Sequence, residues 1–285
     1  MPEKKIRIFM CTHKEFSCLP PLAVAVRGGA ANNPAVSGAV ADVGPRGDIS
    51  AKNPEYCELT VQYYAWRNEE CDVYGFCHYR RFFAFGKKSK KPYLVCGDMT
   101  EKWRNALGTD TDIRALSDSF DIILPHTEDL GVSAREYYEQ APYAYKEDLD
   151  LFLSILNERA PHLSEFAERY LSGREQYFCN MFLMRKELFF EYSELLFDIL
   201  SEFDKKKTLH GDFQSDRTDG YLAERFLGIF VLFARSRGAS VFTVPRLDAY
   251  APLSKRIIYK LFPPESRLRF FAKKVFRILK RKNKA

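Results

Sequence analysis

A polar turn, an amphipathic helix and a short apolar strand follow one another within residues 47–83. The strand pattern ends abruptly in the basic run His78-Tyr79-Arg80-Arg81. Two adjacent guanidinium groups after a buried strand are costly to place unless an anion neutralises them, and the planar donor fork of arginine matches phosphate oxygens. Ligands of open α/β sheets bind beyond the carboxyl ends of the strands. This segment therefore predicts a site for a phosphorylated ligand at a sheet edge.

Apolar segments with the spacing of strands alternate along the chain with longer segments that have the spacing of helices. This alternation is typical of a doubly wound α/β fold, with a mainly parallel sheet flanked by helices. At 285 residues and 46% hydrophobic content, the chain can build a sizeable packed core. We predict strands at residues 5–12, 72–77, 120–125, 177–184 and 240–244, and a long irregular loop at 20–47. We predict helices from residue 53 and at 100–118, 133–171, 187–203 and 220–234, with a break near Ala160-Pro161 in the third of these regions.

Several classes of protein are disfavoured by what the sequence lacks. Neither the glycine-rich fingerprint of dinucleotide-binding enzymes nor the phosphate-binding loop of P-loop NTPases occurs. The seven cysteines show no paired metal-binding spacing, so we predict reduced, mostly buried thiols. No apolar run is long enough to cross a bilayer, and the N-terminus lacks the apolar core of a secretory signal. We expect a cytoplasmic protein with no covalently bound cofactor.

The end of the chain differs in charge from the rest. Residues 251–285 contain twelve Lys and Arg residues and one acid, Glu265, whereas residues 1–250 carry a small excess of acids. Ser266 can cap a basic helix with one apolar face, formed by Leu268, Phe271, Ala272, Val275, Phe276 and Leu279. Such a helix suits an anionic membrane surface, and the alternative is docking on the protein's own body. We therefore predict a body, a basic membrane-proximal tail and no nucleic-acid partner.

Polar residues also follow the first predicted strand. Thr12, His13 and Lys14 stand at its carboxyl end, where a nucleotide base or ribose often contacts a sheet of this type. The alternative is that polar residues simply end the strand. We name all three as candidates for nucleotide binding.

A polar turn precedes the helix that begins near Asn53. Asp48 can accept hydrogen bonds from ribose hydroxyls, and Ser50, Lys52 and Asn53 follow it closely. The competing interpretation is a solvated turn in which Asp48 or Ser50 caps the helix. These four residues are further candidates for nucleotide binding.

The run at the end of the second predicted strand is the strongest cluster. Arg80 or Arg81 can clamp a diphosphate, and a neutral His78 can hydrogen-bond a sugar hydroxyl or a phosphate. The alternative is an exposed strand end with surface arginines. The preceding residues, 75–77, are too apolar for a surface strand, and they favour the functional interpretation.

Two carboxylates near the helix at 220–234 are candidate general bases, Asp219 and Glu224. Asp219 can instead cap that helix, and Glu224 can instead form a structural pair with Arg225. The Asp-x-Asp pattern of Asp110 and Asp112 precedes a helical segment instead of following a strand. Capping is the better interpretation of that pattern, so we predict no metal ligands.

Several short blocks occur in order along residues 5–250. They are Thr12-His13-Lys14, Gly47-Asp48-Ile49-Ser50, Lys52-Asn53, Tyr56-Cys57-Glu58-Leu59-Thr60, Ala65-Trp66, Cys77-His78-Tyr79-Arg80-Arg81-Phe82, Asp121-Ile122-Ile123-Leu124-Pro125, Asn180-Met181-Phe182 and Gly220-Tyr221-Leu222-Ala223-Glu224-Arg225. With these blocks the chain resembles the bacterial capsular-polysaccharide and O-antigen glycosyltransferase family, which includes galactofuranosyltransferases and was long known only as a domain of unknown function.

The resemblance implies a GT-A-like, Rossmann-related fold and the transfer of a sugar from a UDP-sugar, with galactofuranose as one candidate, to a growing or lipid-linked glycan. It implies a lipopolysaccharide or capsule pathway at the inner face of the plasma membrane. The arginine pair then takes the place of a divalent metal. We assign acceptor binding to Tyr79 and Asn180, and catalysis to His78 together with Asp219 and Glu224. The alternatives are a glycan phosphotransferase and a non-catalytic, membrane-docked scaffold.

Overall fold

The computed structural model describes residues 3–263 and 266, which form twelve strands and ten α-helices. The strands are β1 (Ile6–Thr12), β2 (Ala23–Arg27), β3 (Val40–Ala41), β4 (Val73–His78), β5 (Arg81–Phe83), β6 (Tyr93–Val95), β7 (Ile122–Pro125), β8 (Glu128–Asp129), β9 (Glu175–Gln176), β10 (Phe182–Arg185), β11 (Val241–Val244) and β12 (Arg246–Asp248).

The helices alternate with these strands. They are α1 (Asn53–Tyr56), α2 (Leu59–Asn68), α3 (Glu101–Ala106), α4 (Asp110–Ser119), α5 (Ala134–Glu139), α6 (Lys146–Arg159), α7 (Ser164–Ser172), α8 (Lys186–Lys206), α9 (Thr218–Ser236) and α10 (Leu253–Leu261). The predicted amphipathic helix of the tail lies in residues 267–285, outside the described part of the chain.

The main sheet follows the order β11-β7-β10-β4-β1-β2-β3. Its pairs are parallel except at β10, which is antiparallel to both β4 and β7. A short hairpin leads from β4 into β5, and β12 joins β5 to β6 beside the main path. The prediction of a mainly parallel α/β sheet flanked by helices is confirmed.

The sheet separates two apolar cores because successive side chains of a strand point to opposite faces. On β4, Tyr74 and Phe76 pack into the larger core, which also contains the buried faces of α2, α6, α7, α8 and α9. Val73 and Cys77 of the same strand face the smaller core, beside β5 and β12. A strand buried on both faces explains the continuous apolar run that precedes His78.

The carboxyl ends of β1, β2 and β4 lie together at one edge of the sheet. β1 and β4 are parallel, with Cys11 opposite His78, and β1 and β2 are parallel, with Thr12 opposite Arg27. The segments that follow these three strands therefore converge at that edge. This was expected for the segments after β1 and β4, whereas β2 was not predicted.

Two predictions for the edges of the sheet are wrong: the irregular loop at 20–47 and the position of the last strand. Residues 20–47 are not a continuous irregular loop, because they contain β2 and the short β3. Alternating Ala and Val residues form β2, and Ala25 and Val26 are buried beside β1. The strand at 241–244 is not the last one, because Arg246–Asp248 forms β12. Its two charged residues made it resemble a loop, but both are buried as an ion pair.

Two predicted elements are interrupted, both near the sheet edge. The helix that begins at Asn53 breaks after Tyr56, because Cys57 has φ 54° and ψ −126°. The strand predicted over 177–184 is reduced to Phe182–Arg185, since Cys179 and Asn180 have φ values of 75° and 46°. Left-handed backbone is costly for cysteine, although asparagine adopts it more readily, and such residues cluster at functional sites.

Candidate functional site

A cleft opens at the carboxyl edge of the sheet and consists of two cavities of about 370 and 410 Å³. We call the first cavity the basic lobe; its lining includes Cys11, His13, Lys14, Gly28, Asn32, Asn33, Asn53, Pro54, His78, Tyr79 and Phe213. The second is the aromatic lobe; its lining includes Glu128, Tyr137, Tyr143, Phe178, Cys179, Gln214, Gly220, Tyr221, Glu224, Arg225, Arg246, Asp248 and Lys255. Both lobes share Cys57, Glu58, Arg80, Arg81 and Arg217.

Both predicted arginines lie at the junction of the two lobes. Arg80 is exposed, with its guanidinium 5.5 Å from the centre of the Tyr79 ring. Arg81 begins β5 opposite His78 and is half-buried. Among the described residues, neither guanidinium has a hydrogen-bond or ion-pair partner. Asp248 and Glu58 act on Arg81 electrostatically but do not contact it, so its partly buried guanidinium keeps unused donors. This arrangement favours an anionic ligand.

A third guanidinium at the junction, that of Arg217, was not identified from the sequence. Its Nε donates to the Cys57 sulfur at 3.0 Å, and its guanidinium lies 5.4 Å from the centre of the Phe213 ring. It has no carboxylate partner in the described part of the chain. Arg217 comes from a loop remote in sequence, and no local pattern distinguishes it from surface arginines.

Of the three candidates at the carboxyl end of β1, two reach the cleft. Thr12 is fully buried, and its hydroxyl donates to the carbonyl of Lys14 at 2.5 Å, which forms a tight turn. This turn directs His13 and Lys14 into the basic lobe. Burial and the neighbouring cations, Lys14 first among them, lower the pKa of His13. Its ring is therefore neutral near pH 7, while Lys14 adds a further positive charge.

Of the four candidates on the polar turn, only Asn53 lines the cleft. Asp48 accepts a hydrogen bond from the Ser50 amide at 3.1 Å, which matches the alternative interpretation of a structural turn. Ser50 is buried and donates to Asp42 at 2.5 Å, and Lys52 pairs with Asp204. Asp48, Ser50 and Lys52 therefore shape the loops around the basic lobe without lining it.

His78 lines the basic lobe in a defined tautomer. Its Nε2 lies 2.7 Å from the carbonyl oxygen of Cys179, which can only accept, so Nε2 carries the proton. Burial lowers the pKa of His78, although the nearby Glu58 carboxylate opposes that shift. The neutral ring leaves Nδ1 as an acceptor. His78 is thus suited to receive a hydrogen bond from a hydroxyl in the basic lobe.

The two predicted carboxylates lie in different places. Glu224 lines the aromatic lobe, where Oε1 accepts from the Cys179 amide at 2.7 Å and Oε2 pairs with Arg225 at 3.1 Å. Burial raises the pKa of Glu224. Asp219 does not line the cleft: its side chain is fully buried, and it pairs with Lys207 at 2.6 Å. This position corrects the expectation that Asp219 acts as a base on a bound substrate.

Lys207 is buried and pairs with three carboxylates: those of Glu55 and Asp204, which are partly exposed, and that of Asp219, which is fully buried. The three acids approach one another closely enough to bind a cation, and the ammonium of Lys207 already takes that place. This cluster joins the end of α8 to the starts of α1 and α9. Asp110 and Asp112 open α4, and Thr109 and Asp112 form a reciprocal capping box, as the sequence analysis expects.

Asn180 and Glu58 form a polar contact beneath the cleft. The Asn180 amide donates to Glu58 Oε1 at 2.8 Å and to the Gly220 carbonyl at 3.1 Å. Asn180 is buried and lines neither lobe, so it is not placed to contact an acceptor directly. Tyr79 does line the basic lobe, with its ring edge-on to His13.

Glu58 lines both lobes but is not among the residues predicted for the site. The left-handed kink at Cys57 separates α1 from α2 and leaves Glu58 at the cleft instead of on a continuous helix surface. Residues 56–60 formed one of the blocks that carried the family resemblance. That block was the only sequence signal for Glu58.

The chain belongs to the family described as Domain of unknown function (DUF4422), whose model matches residues 7–235. Among solved structures, it is similar to WbbM, a bifunctional glycosyltransferase in its apo form. The identity is 28% and the TM-score 0.81, over 87% of this chain and 46% of that one, so the chain spans less than half of WbbM. This similarity confirms the predicted GT-A-like fold class.

A search of curated proteins found no match. Among the residues that the structure describes, no helix is both long and apolar enough to cross a bilayer.

Proposed function

We propose that the chain is a glycosyltransferase that binds a UDP-sugar in the basic lobe and transfers its sugar to a glycan or lipid-linked acceptor. The observation that carries this proposal is the group of three guanidiniums, of Arg80, Arg81 and Arg217, that line the cleft without carboxylate partners in the described residues. The similarity to a bifunctional glycosyltransferase supports glycosyl transfer as the chemistry. Surface polysaccharide synthesis, with UDP-galactofuranose as one candidate donor, is the pathway that the family resemblance implies.

The three guanidiniums match what sugar transfer requires. Negative charge develops on the diphosphate as its bond to the sugar breaks, and preorganised donors at that position lower the barrier. Arg80 and Arg81 lie where the ends of β1 and β4 converge, and Lys14 of the same lobe adds charge. We propose that these cations stabilise the leaving group without a divalent metal.

A donor screen tests this proposal. Thermal unfolding is measured with a panel of UDP-sugars that includes UDP-galactofuranose, and UDP release is then assayed with a glycan acceptor, with and without EDTA. We expect one donor to raise the melting temperature and to give EDTA-resistant UDP release, with the sugar retained in the product. Transfer of a phosphorylated sugar would support the phosphotransferase instead. An absence of UDP release with every donor would support the scaffold.

The described end of the chain supports a membrane surface as a partner. α10 exposes an apolar stripe of Leu253, Ile257 and Leu261, which are spaced four residues apart and are 65%, 48% and 64% exposed. Lys255, on the same helix, pairs with Asp248 in the aromatic lobe at 2.8 Å. A bilayer against α10 would therefore lie beside the cleft. We propose that this helix, with the basic tail beyond it, docks on the anionic inner face of the plasma membrane.

Sedimentation with lipid vesicles tests α10 directly. We expect the double variant Leu253→Glu/Leu261→Glu to lower binding to phosphatidylglycerol-containing vesicles by about tenfold or more, since burying each leucine contributes about 1.5–3 kcal/mol. The matched control is Leu209→Glu, which replaces a leucine 58% exposed in the loop between α8 and α9 and should leave binding unchanged. Equal binding by the double variant and the wild type would refute docking through α10.

A further inference from the structure

The two lobes of the cleft differ in chemistry. Four half-buried aromatic rings line the aromatic lobe. Tyr143 and Tyr221 lie 4.8 Å apart at an interplanar angle of 40°, and Tyr137 and Phe178 lie 5.9 Å apart at 71°. The faces of such rings carry negative potential, which attracts the weakly positive C–H groups of a sugar ring. The amide of Gln214, at the same wall, can hydrogen-bond hydroxyl groups.

The charges of the aromatic lobe are neutralised within the protein, in contrast to those at the junction. Its ion pairs are Arg246 with Glu128 at 3.1 Å, Arg246 with Asp248 at 2.7 Å, Lys255 with Asp248 at 2.8 Å, and Arg225 with Glu224 at 3.1 Å. No cation of this lobe other than the shared arginines lacks a carboxylate partner among the described residues. Aromatic faces with internally paired charges suit an uncharged ligand, and a sugar is the uncharged ligand that offers both C–H faces and hydroxyl groups.

Glu58 is the carboxylate that both lobes share. Its Oε1 is held by the Asn180 amide, and Asn180 is itself fixed by the Gly220 carbonyl. No described residue donates a hydrogen bond to Oε2. A carboxylate with one oxygen fixed and the other unbonded is a geometry suited to accepting a proton. In Glu224, by contrast, both carboxylate oxygens already accept hydrogen bonds, from the Cys179 amide and from Arg225.

We infer that the aromatic lobe binds the terminal sugar of the acceptor and that Glu58 is the general base of the transfer, an assignment that rests on the proposed function. The acceptor hydroxyl gives its proton to Glu58 as its oxygen bonds to the anomeric carbon of the donor. The bond from that carbon to the diphosphate oxygen breaks, and its electron pair leaves with UDP, which faces Arg80 and Arg81. This displacement inverts the configuration at the anomeric carbon.

Glu58→Gln tests the base, because the amide has the same shape, can still accept from Asn180 and cannot take a proton. With the donor and acceptor identified by the screen, we expect kcat to fall by about 10²- to 10⁴-fold. UDP affinity, measured by calorimetry, should stay within about twofold, which also shows that the variant is folded. Glu58→Asp, which keeps the carboxylate but shortens its reach, should lose less activity. A kcat within about tenfold of the wild type for Glu58→Gln would overturn the assignment.

Tyr143→Ala tests the acceptor subsite separately. We expect the acceptor KM to rise by about tenfold or more while the donor KM is unchanged. The control is Tyr64→Ala, a half-buried tyrosine of α2 outside both lobes, for which neither KM should change. A change in donor KM without a change in acceptor KM would reject the subsite. If the wild type transfers no sugar at all, the proposed function fails. If the wild type transfers sugar, and Glu58→Gln and Tyr143→Ala do so with unchanged kinetics, the proposed function stands and this inference fails.

Discussion

Replacing Arg81 by Ala is expected to weaken UDP binding by about 10- to 100-fold. Arg81 is half-buried at the junction of the two lobes, and no described residue accepts a hydrogen bond from its guanidinium. Hydrogen bonds to charged groups contribute about 1.5–3 kcal/mol, and about 1.4 kcal/mol corresponds to a factor of ten in affinity. The change in stability should be small, since the Arg81 guanidinium forms no hydrogen bond or ion pair with a described residue and acts on Asp248 and Glu58 only at longer range. Titration calorimetry with UDP measures the change.

The control for this variant is Arg237→Ala. Arg237 pairs with Glu191 on the surface and lines neither lobe, so the same side chain is removed far from the proposed diphosphate site. It should leave UDP affinity unchanged. Equal affinities for the wild type and Arg81→Ala would show that Arg81 does not contact the diphosphate. A large fall in melting temperature for Arg81→Ala would instead assign the residue a structural role.

Replacing Lys207 by Met is expected to reduce the free energy of unfolding by about 3–5 kcal/mol, because it leaves the fully buried carboxylate of Asp219 without a counterion. The Lys207 side chain is only 7% exposed, and it pairs with Glu55, Asp204 and Asp219. Methionine keeps most of the volume, so the loss reports on charge. The control is Lys206→Met, whose surface ion pairs contribute at most about 1 kcal/mol. Urea unfolding measures both variants.

The pH dependence of this destabilisation provides a second test. Burial raises the pKa of Asp219 to about 7, and the nearby Asp204 and Glu55 add to the rise, while Lys207 opposes it. Without Lys207, the folded-state pKa rises further above its unfolded value. An acid whose pKa is higher in the folded than in the unfolded state stabilises the fold when it is protonated, at low pH, and this stabilisation is lost as the pH rises. The deficit of Lys207→Met should therefore be smaller at pH 5 than at pH 8, and an equal deficit at both would contradict the account.

The fold and the position of the basic run His78-Tyr79-Arg80-Arg81 could be predicted because both depend on local patterns. A continuous apolar run predicts a strand buried on both faces, and β4 is such a strand. The basic residues directly after it must lie at the carboxyl edge of the sheet, and Arg80 and Arg81 do line the cleft there; their role in binding a donor stays a prediction. β2 was missed because five alternating residues between Pro and Gly segments give a weak signal.

The carboxylates could not be assigned from the sequence because their roles depend on distant partners. Asp219 stands beside a buried helix, and only the position of Lys207 determines that it forms a structural ion pair. Glu58 depends on the kink at Cys57 and on Asn180, which lies 122 positions away in the chain. Local patterns do not contain such contacts.

The central claim is that the basic lobe binds the diphosphate of a nucleotide sugar. An experimental structure of the protein with UDP tests it most directly. We expect the diphosphate oxygens to lie within about 3.2 Å of guanidinium nitrogens of Arg80 or Arg81, a distance typical of hydrogen bonds. A diphosphate bound outside the cleft, with both guanidiniums in contact only with solvent, would contradict the account.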